Sequence, residues 1–390
     1  MTCHTENNQF ELAMELLIEN GFDGIAGAMT ILLNAAMKIE RSRFLRAEPY
    51  ERNEQRQGYA NGYKPKTVKT RVGKVTLAVP QTRDSQFYPT SLEKGLRSER
   101  ALKIALAEMY VQGVSTRKVA KITEELCGCE INSSEVSRAA AALDDHLDAW
   151  RNRRLGAYPY VFLDARYENV RHGGLVMPCA VLIAVGIDRD GKRDVLGISV
   201  SLSEQEVHWR HFLSILKDRG LHGITLFTSD AHEGLKAARK AVFPAVPWQR
   251  CQFHLQQNAQ SYVPRRHLKK DVAGRIRIIF NAPDAQEAQR LLELFVADYL
   301  DTAPKLAEWA EKAIPEGLTI FQMPESHRRR IRTVNMLERL NKEIKRRTRV
   351  ATLFPNTASC LRLVSAVAME FSEEWQAGRS YLKMEDNLFV

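Results

Sequence analysis

Three acidic residues stand out by type and setting. Asp164 follows the apolar run Tyr160-Val161-Phe162-Leu163, Asp230 follows a second apolar stretch and Thr228-Ser229, and Glu338 lies in a strongly basic segment. Carboxylates supply hard oxygen donors, and Mg²⁺ is typically held by a few of them together with substrate phosphates. Two such ions about 3.5–4 Å apart activate the attacking oxygen and stabilise the leaving one in phosphodiester displacement. The expected chemistry is therefore phosphoryl transfer on a polynucleotide, with Asp164, Asp230 and Glu338 as both catalytic and metal-binding residues. Mg²⁺ is the expected ion and Mn²⁺ a substitute.

Each acid also has a simpler reading. An Asp after a strand often starts a turn, and Asp230 is placed to cap the helix that follows. Glu338 lies three residues after Asn335, the spacing of a capping box. The setting of Glu338 favours the chemical reading. Between Ser326 and Val350 there are ten Lys or Arg and two Glu. A polyanion would meet such a segment, whereas a solvated helix face is rarely so lopsided in charge.

These acids need a scaffold, and the pattern from residue 158 onward describes one. Strands are expected at 160–163, 179–187 and 195–200, with Asp190-Gly191 as a hairpin turn. An amphipathic helix is expected over Glu204 to Arg219, with Val207, Phe212, Ile215 and Leu216 inward. A strand at 223–227, a helix to Val242 and a strand near 246–249 follow. The first three strands should pair antiparallel, and the others should enter through helical crossovers. This is a mixed-sheet α/β domain with Asp164 at the end of its first strand. Residues 254–313 are helical, punctuated by Pro264, Pro283 and Pro304. A basic helix covers about 334–349, and 351–378 is helical.

The N-terminal part reads differently. Residues 8–47 form helices with apolar stripes (Phe10, Ala13, Met14, Leu17, Ile18, then Ile25, Met29, Leu32, Leu33, Ala36, Ile39), suited to a small helical domain or a dimer contact. Residues 52–74 carry seven positive charges against Glu54, with Tyr59, Asn61, Gly62 and Tyr63 among them. Arg52, Arg56, Lys64, Lys66 and Lys69 are candidate phosphate contacts, and Val68, Val72, Val75, Leu77 and Val79 suggest short strands about Gly73. Residues 99–150 suggest a helix-turn-helix region. Ser115 should cap one helix, with Val119, Ile122 and Leu126 on one face. Ser133 or Ser134 should cap the next.

Composition narrows the class. The net charge is +10 and the pI about 9.3, which suits nucleic acid. At 44% hydrophobic residues the chain has enough apolar material for real cores. No uninterrupted apolar run reaches the ~18 residues of a membrane helix, and the acidic N-terminus is unlike a signal peptide. Six scattered cysteines suit a reducing cytoplasm. Cys127-Gly128-Cys129 has the wrong spacing for zinc. Cys251 and His254 form a single Cys-x-x-His pair, incomplete as a zinc site and suited to packing and hydrogen bonding near the acids. No zinc is expected.

Several stretches, in order, resemble the Mutator-type bacterial insertion-sequence transposases of the DDE, RNase H-like superfamily. They are Asp164-Ala-Arg-Tyr-Glu-Asn-Val-Arg171, Trp209 to Leu221, Thr228-Ser-Asp-Ala-His-Glu-Gly-Leu235, Trp248-Gln-Arg-Cys-Gln-Phe-His254 and Asn335-Met-Leu-Glu-Arg-Leu-Asn-Lys-Glu-Ile-Lys-Arg-Arg347. The resemblance spans about residues 50–385. It implies that Asp164, Asp230 and Glu338 are the catalytic triad and that Cys251 and His254 are the motif between the second and third acids. It implies an RNase H-like catalytic domain in two parts (153–254 and 326–390) around an all-α insertion (255–325). Before it come a helical region (1–50), a basic β/loop segment (51–98) and a helix-turn-helix-like region (99–152). The N-terminal part would bind terminal inverted repeats and help form a homodimer, with Arg166, Arg171, Lys342, Lys345 and Arg346 as further DNA contacts. The implied activity is cleavage that exposes a 3′-OH, then strand transfer, in the bacterial cytoplasm at the nucleoid and without a membrane. Two alternatives are a structure-specific nuclease of the same fold and a transposase-derived DNA-binding regulator.

Overall fold

The computed structural model describes residues 4–83, 87–92, 94–95, 97–351 and 353–384. The chain forms two compact units, Met1–Ala142 and Leu143–Val390. The first joins the three N-terminal regions distinguished in the sequence. The boundary falls before α6 (Asp144–Arg151), which belongs with the second unit. There Asp144 accepts both hydrogen bonds of the Arg362 guanidinium fork at 2.7 Å.

In the first unit, α1 (His4–Asn20) and α2 (Ile25–Leu45) are joined by a 3-10 turn at Gly21–Gly24. The helices meet so closely at Gly24 that an added Cβ would lie 2.3 Å from the Leu16 carbonyl oxygen. By length and composition the stretch Asn8–Leu45 is apolar enough to cross a membrane. Counting only uninterrupted apolar runs, which Asn34, Thr30 and the glycines break, misses this averaged apolarity. Phe10, Met14, Ile18 and Phe22 are exposed, and only Ala13 of the first stripe is buried.

β1 (Tyr59–Thr70) and β2 (Gly73–Arg83) form one long antiparallel hairpin with Val68 opposite Val75. Gly73 closes its turn at φ +116°, a conformation that suits glycine. Alternate side chains Val75, Leu77 and Val79 share a face and bury against Met37 of α2. α3 (Arg100–Val111), α4 (Thr116–Cys127) and α5 (Ser133–Ala141) enclose Leu102, Leu106, Val119 and Val136. Ser115 caps α4 by accepting from the Lys118 amide. Leu126 faces solvent, because the inward stripe of α4 runs through Val119, Thr123 and Cys127. Asn132, rather than Ser133 or Ser134, caps α5. Its side chain accepts from the Glu135 amide, and Glu135 accepts from the Asn132 amide, a reciprocal box that neither serine makes.

The second unit is built on a five-stranded sheet of β3 (Tyr160–His172), β4 (Leu175–Ile187), β5 (Arg193–Ser201), β6 (Leu226–Ser229) and β7 (Trp248–Arg250), with α7 (Glu206–Asp218) and α8 (Glu233–Val242) as crossovers. The spatial order is β5-β4-β3-β6-β7. β3, β4 and β5 pair antiparallel, while β3-β6 and β6-β7 are parallel. The expected element order therefore holds. α7 buries Trp209, Phe212, Leu213 and Leu216 against one face of the sheet. Val207 and Ile215, expected inward, are exposed, because Trp209 and Leu213 set the buried stripe about one residue away.

Past the sheet, α9 (Gln252–Tyr262), α10 (Lys269–Phe280), α11 (Ala285–Tyr299) and α12 (Pro304–Ala313) share a separate apolar core containing Leu255, Ile276, Leu292, Phe295 and Leu306. Two 3-10 turns, Ile314–Gly317 and Thr319–Gln322, lead back to α13 (Glu325–Ile331), α14 (Asn335–Ala351) and α15 (Thr357–Ala377). α14 and α15 pack on β3, and α15 also on β5. The Tyr160 hydroxyl and His327 Nδ1 lie 2.8 Å apart beneath α13.

Candidate active site

β3 is longer than the sequence suggested. It continues through Asp164 to His172, because every residue of that polar stretch still pairs with β4. The parallel pairing of β3 with β6 ends at Leu163 and Ser229. Asp164, still on β3, and Asp230, the first residue after β6, follow this last pair, so they sit side by side where the two parallel strands separate. Ligand sites in open α/β sheets form in this crevice at the strands' carboxyl ends. Alternation places Asp164 on the same face as Tyr160 and Phe162, the face that α13 and α14 cover.

Asp230 does not cap α8. Its Oδ1 accepts from the adjacent Ala231 amide at 2.7 Å, and the capping position belongs to His232. Asp164 Oδ2 accepts from Asn341 Nδ2 at 2.7 Å. Burial pushes the Asp164 carboxyl up to about 6, with the neighbouring Asp230 charge adding to it and the bonds from Asn341 and Ala165 opposing it. Two adjacent carboxylates, one of them desolvated, favour a cation between them.

Glu338 lies one turn before Asn341 on α14, so the two share a helix face. Its carboxylate is half-exposed and lies 3.5 Å from Lys342 Nζ. Asp164 and Asp230 are thus brought together, with Glu338 on the adjacent turn. Among the described residues, no three His, Cys, Asp or Glu side chains are close enough together to hold a metal ion. The donor chemistry nonetheless suits a divalent cation: carboxylate oxygens from Asp164 and Asp230, and a buried Asn341 Oδ1 that has no hydrogen-bond partner.

The Cys-x-x-His pair flanks these acids. The Cys251 amide donates to the Ser229 carbonyl at 2.8 Å, and its Sγ accepts from the Val334 amide at 3.5 Å. Cys251 thereby ties the end of β6 to the residue that leads into α14. His254 Nδ1 lies 3.9 Å from Asp230 Oδ2. A hydrogen bond with Cys251, then the charges of Asp230 and Asp164, push His254 up to about 9 against the effect of burial. The His254 ring thus lies beside the acids.

The basic residues divide into two groups. Arg166 is largely buried, paired with Glu168 and donating to the Asn341 carbonyl. Its guanidinium holds α14 against β3, which leaves little of it for phosphate. Arg171, Lys342 and Lys345 are exposed, and Arg346 is exposed while paired with Glu343 at 2.7 Å. In the first unit, Arg52 and Lys64 face solvent. Lys69 instead pairs with Glu135 at 2.8 Å, and Lys66 donates to the Tyr88 hydroxyl at 2.7 Å. Arg56 stacks on Tyr59, its guanidinium 4.9 Å from the ring centroid. A groove of about 1420 Å³ is lined by Arg41, Arg52, Arg56, Tyr59, Tyr63 and Arg83. Sequence reasoning missed Arg41, in the polar last turns of α2 beside Glu40, Ser42 and Arg43, and Arg83, at the far end of the hairpin. It also missed Asn341, although the three-residue offset from Glu338 marks a shared face.

A polar crevice with paired carboxylates lies under a basic helix in a mixed-sheet α/β unit, a setting suited to a nucleic-acid substrate. The model of the family described as "Transposase, Mutator family" matches residues 1–378, and the chain belongs to that family. The chain is 58% identical to the transposase for insertion sequence element IS406 of Burkholderia multivorans, over 98% of this chain and 99% of the relative. It is 43% identical to the transposase for ISRM5 of Rhizobium meliloti, over 98% and 96%. It is 38% identical to the transposase for IS256 in transposon Tn4001 of Staphylococcus aureus, over 92% of each chain.

Proposed function

We propose that this protein is a DDE transposase that binds the terminal inverted repeats of its element, cleaves DNA to expose a 3′-OH and joins that end to target DNA. The adjacency of Asp164 and Asp230 at the carboxyl ends of two parallel strands carries the reading. The strand order β5-β4-β3-β6-β7, with its antiparallel triple and parallel pair, supports an RNase H-like domain. The helices from α9 to α12, with a core of their own, support an all-α insertion between the second and third acids.

Asp164, Asp230 and Glu338 would hold Mg²⁺ or Mn²⁺. When bound, the ions supply Lewis-acid stabilisation of the entering and leaving oxygens. The protein's own groups position the reaction. Asn341 orients Asp164, Arg166 fastens α14 to β3, and His254 places positive charge beside Asp230. Arg171, Lys342, Lys345 and Arg346 offer cations to the phosphate backbone on this unit. On the first unit, the groove with Arg41, Arg52, Arg56 and Arg83 does the same, and the α3–α5 helices read base edges in the repeats. The exposed Phe10, Met14 and Ile18 of α1, with Phe22 of the turn after it, suit a homodimer contact. The site of action is the bacterial nucleoid.

The test uses Asp164→Asn with DNA ending in the element's repeats. Cleavage and joining should fall at least 10³-fold, a loss of about 4 kcal/mol of transition-state stabilisation, while end binding stays within about twofold. Joining near the wild-type rate would overturn the assignment. A structure-specific nuclease would cleave without strand transfer, and a regulator would bind without either.

A further inference from the structure

β3 and β4 run on past the rest of the sheet. β6 leaves β3 at Leu163, and β5 follows β4 only as far as Ala180. Beyond those points Glu168 to His172 still pair with Leu175 to Cys179 as a two-stranded arm. The backbone of Phe354 braces one edge of it. Its amide donates to the Asn169 carbonyl and its carbonyl accepts from the Arg171 amide, both at 2.9 Å. Val170 and Phe354 are buried there, which fixes the base of the arm. The tip is a two-residue turn, Gly173-Gly174, with φ of +56° and +84°. Glycine adopts this left-handed pair without strain, and it leaves the tip narrow. Residues at turns are ordinarily polar. Here the glycines lead into Leu175 and Val176, 73% and 55% exposed, and Arg171 and His172 on the other strand are exposed as well.

Alternation along β3 places His172, and Leu175 opposite it, on the face that carries Asp164. α14 covers that face: Asn341 donates to Asp164, and Thr348 donates to Glu168 at 3.1 Å. The helix therefore runs along β3 toward the arm, and its Lys342, Lys345, Arg346 and Arg349 are exposed. Cations thus line the way from the acids to an apolar tip, and charge of one sign selects a polyanion as partner. A second copy of this chain, itself at +10, would be repelled. His172 stands eight residues past Asp164, about 26 Å at about 3.3 Å per residue. DNA rises about 3.4 Å per base pair, so the tip meets a duplex about eight base pairs from a phosphodiester at Asp164.

We propose that this tip is a wedge: Leu175 enters between base pairs of that duplex from the minor groove, with Val176 against the groove wall, and kinks the DNA there. An inserted apolar side chain partly unstacks one base step, and the bent duplex then meets more protein surface. The bend would bring the backbone toward Arg171 and the cations of α14. The inference rests on the proposal that the second unit acts on DNA at Asp164 and Asp230.

The test reads energy transfer between dyes at the two ends of a repeat-bearing duplex of about 40 base pairs, stiff when free because DNA persists over about 150. Full-length Asp164→Asn protein is used, so that no cleavage intervenes. Binding should shorten the end-to-end distance. Adding Leu175→Ser with Val176→Ser should abolish the shortening while affinity falls less than about tenfold, since phosphate contacts supply most of it. A second measurement leaves the arm intact. A tandem mismatch about eight base pairs from the cleaved bond lowers the unstacking cost and should tighten binding at least about fivefold, and one about four base pairs away should not. A straight duplex on DNA shown to be bound by anisotropy would overturn the proposal, as would an equal bend with the serine variant. So would a smaller sedimenting mass of that variant without DNA and an intact bend, the result expected if the tip covers a second copy. An unrelated duplex shows which DNA the arm meets: a Leu175-dependent bend there assigns it to target DNA, and a bend confined to repeats assigns it to the element's end. A Leu175-dependent bend with no cleavage or joining by the wild-type protein would keep the wedge and remove the transposase mechanism. Cleavage and joining without such a bend would do the reverse.

Discussion

Asn341 on α14 donates a 2.7 Å hydrogen bond to Asp164 on β3, fastening the basic helix to the strand whose carboxylate lies beside Asp230. The same residue's carbonyl accepts from Arg166. One asparagine therefore sets both the orientation of an acid and the seat of the helix that carries Glu338.

Asn341→Ala should leave end binding nearly unchanged and slow cleavage about 10–100-fold, the usual scale for losing a group that orients a metal ligand. It should also raise the Mg²⁺ concentration needed for half-maximal rate. A purely structural role predicts a lower melting temperature with no change in the Mg²⁺ requirement, so titrating Mg²⁺ on the soluble variant decides between them.

Asp164 is held at about 6, above the 3.8 of an unperturbed aspartate. The folded state therefore binds the proton more tightly than the unfolded state. Stability without metal should fall as pH rises from about 4 to 6, and the lost stability should stay lost above that. A rise of this size corresponds to at most about 3 kcal/mol. Asp164→Asn should accordingly raise the metal-free melting temperature at pH 8 by several degrees and flatten its dependence between pH 4 and 6. A lower melting temperature than wild type at pH 8 would contradict the burial argument.

Glu343 shows the opposite sign. Its hydrogen bonds from Arg346 and Arg347 hold it down to about 2, below the ordinary 4.5. Its contribution is present above pH 4.5 and fades as pH falls toward 2. Arg347 is buried and also pairs with Glu370 at 2.7 Å. Glu343→Gln should remove part of the acid sensitivity seen in unfolding between pH 4.5 and 2. Arg347→Ala should cost about 1–3 kcal/mol, because it removes charged hydrogen bonds while Glu343 keeps Arg346 and the half-exposed Glu370 returns to water. Urea denaturation across that pH range measures both.

Lys342 and Arg346 lie four and eight residues after Glu338, on or beside its face of α14. Lys342→Ala with Arg346→Ala should weaken binding to all DNA sequences alike. The slope of log affinity against log salt should become shallower by about 0.9 for each phosphate that the variant no longer neutralises. If the two charges serve only solubility, affinity and slope will match the wild type at every salt concentration.

The sequence by itself determined the periodic parts of this protein and the chemistry of its acids. The continuous apolar runs at 160–163 and 179–187 and the Asp190-Gly191 turn specify buried strands and a hairpin, and the helical stripes specify the crossovers. Local rules of period and turn decide such features within a few residues. Tertiary structure decided the rest. The polar run from Asp164 to His172 has no strand pattern, yet it is strand because β4 supplies a partner for every residue of it. Whether Lys69 meets a phosphate or Glu135 depends on where α5 packs, and whether Arg166 is free depends on where α14 lands. Asp164 and Asp230, 66 residues apart in the chain, become neighbours only because two parallel strands end their pairing together. Strand register is set by the packing of whole elements, and no local residue pattern encodes the distance between two side chains on different strands.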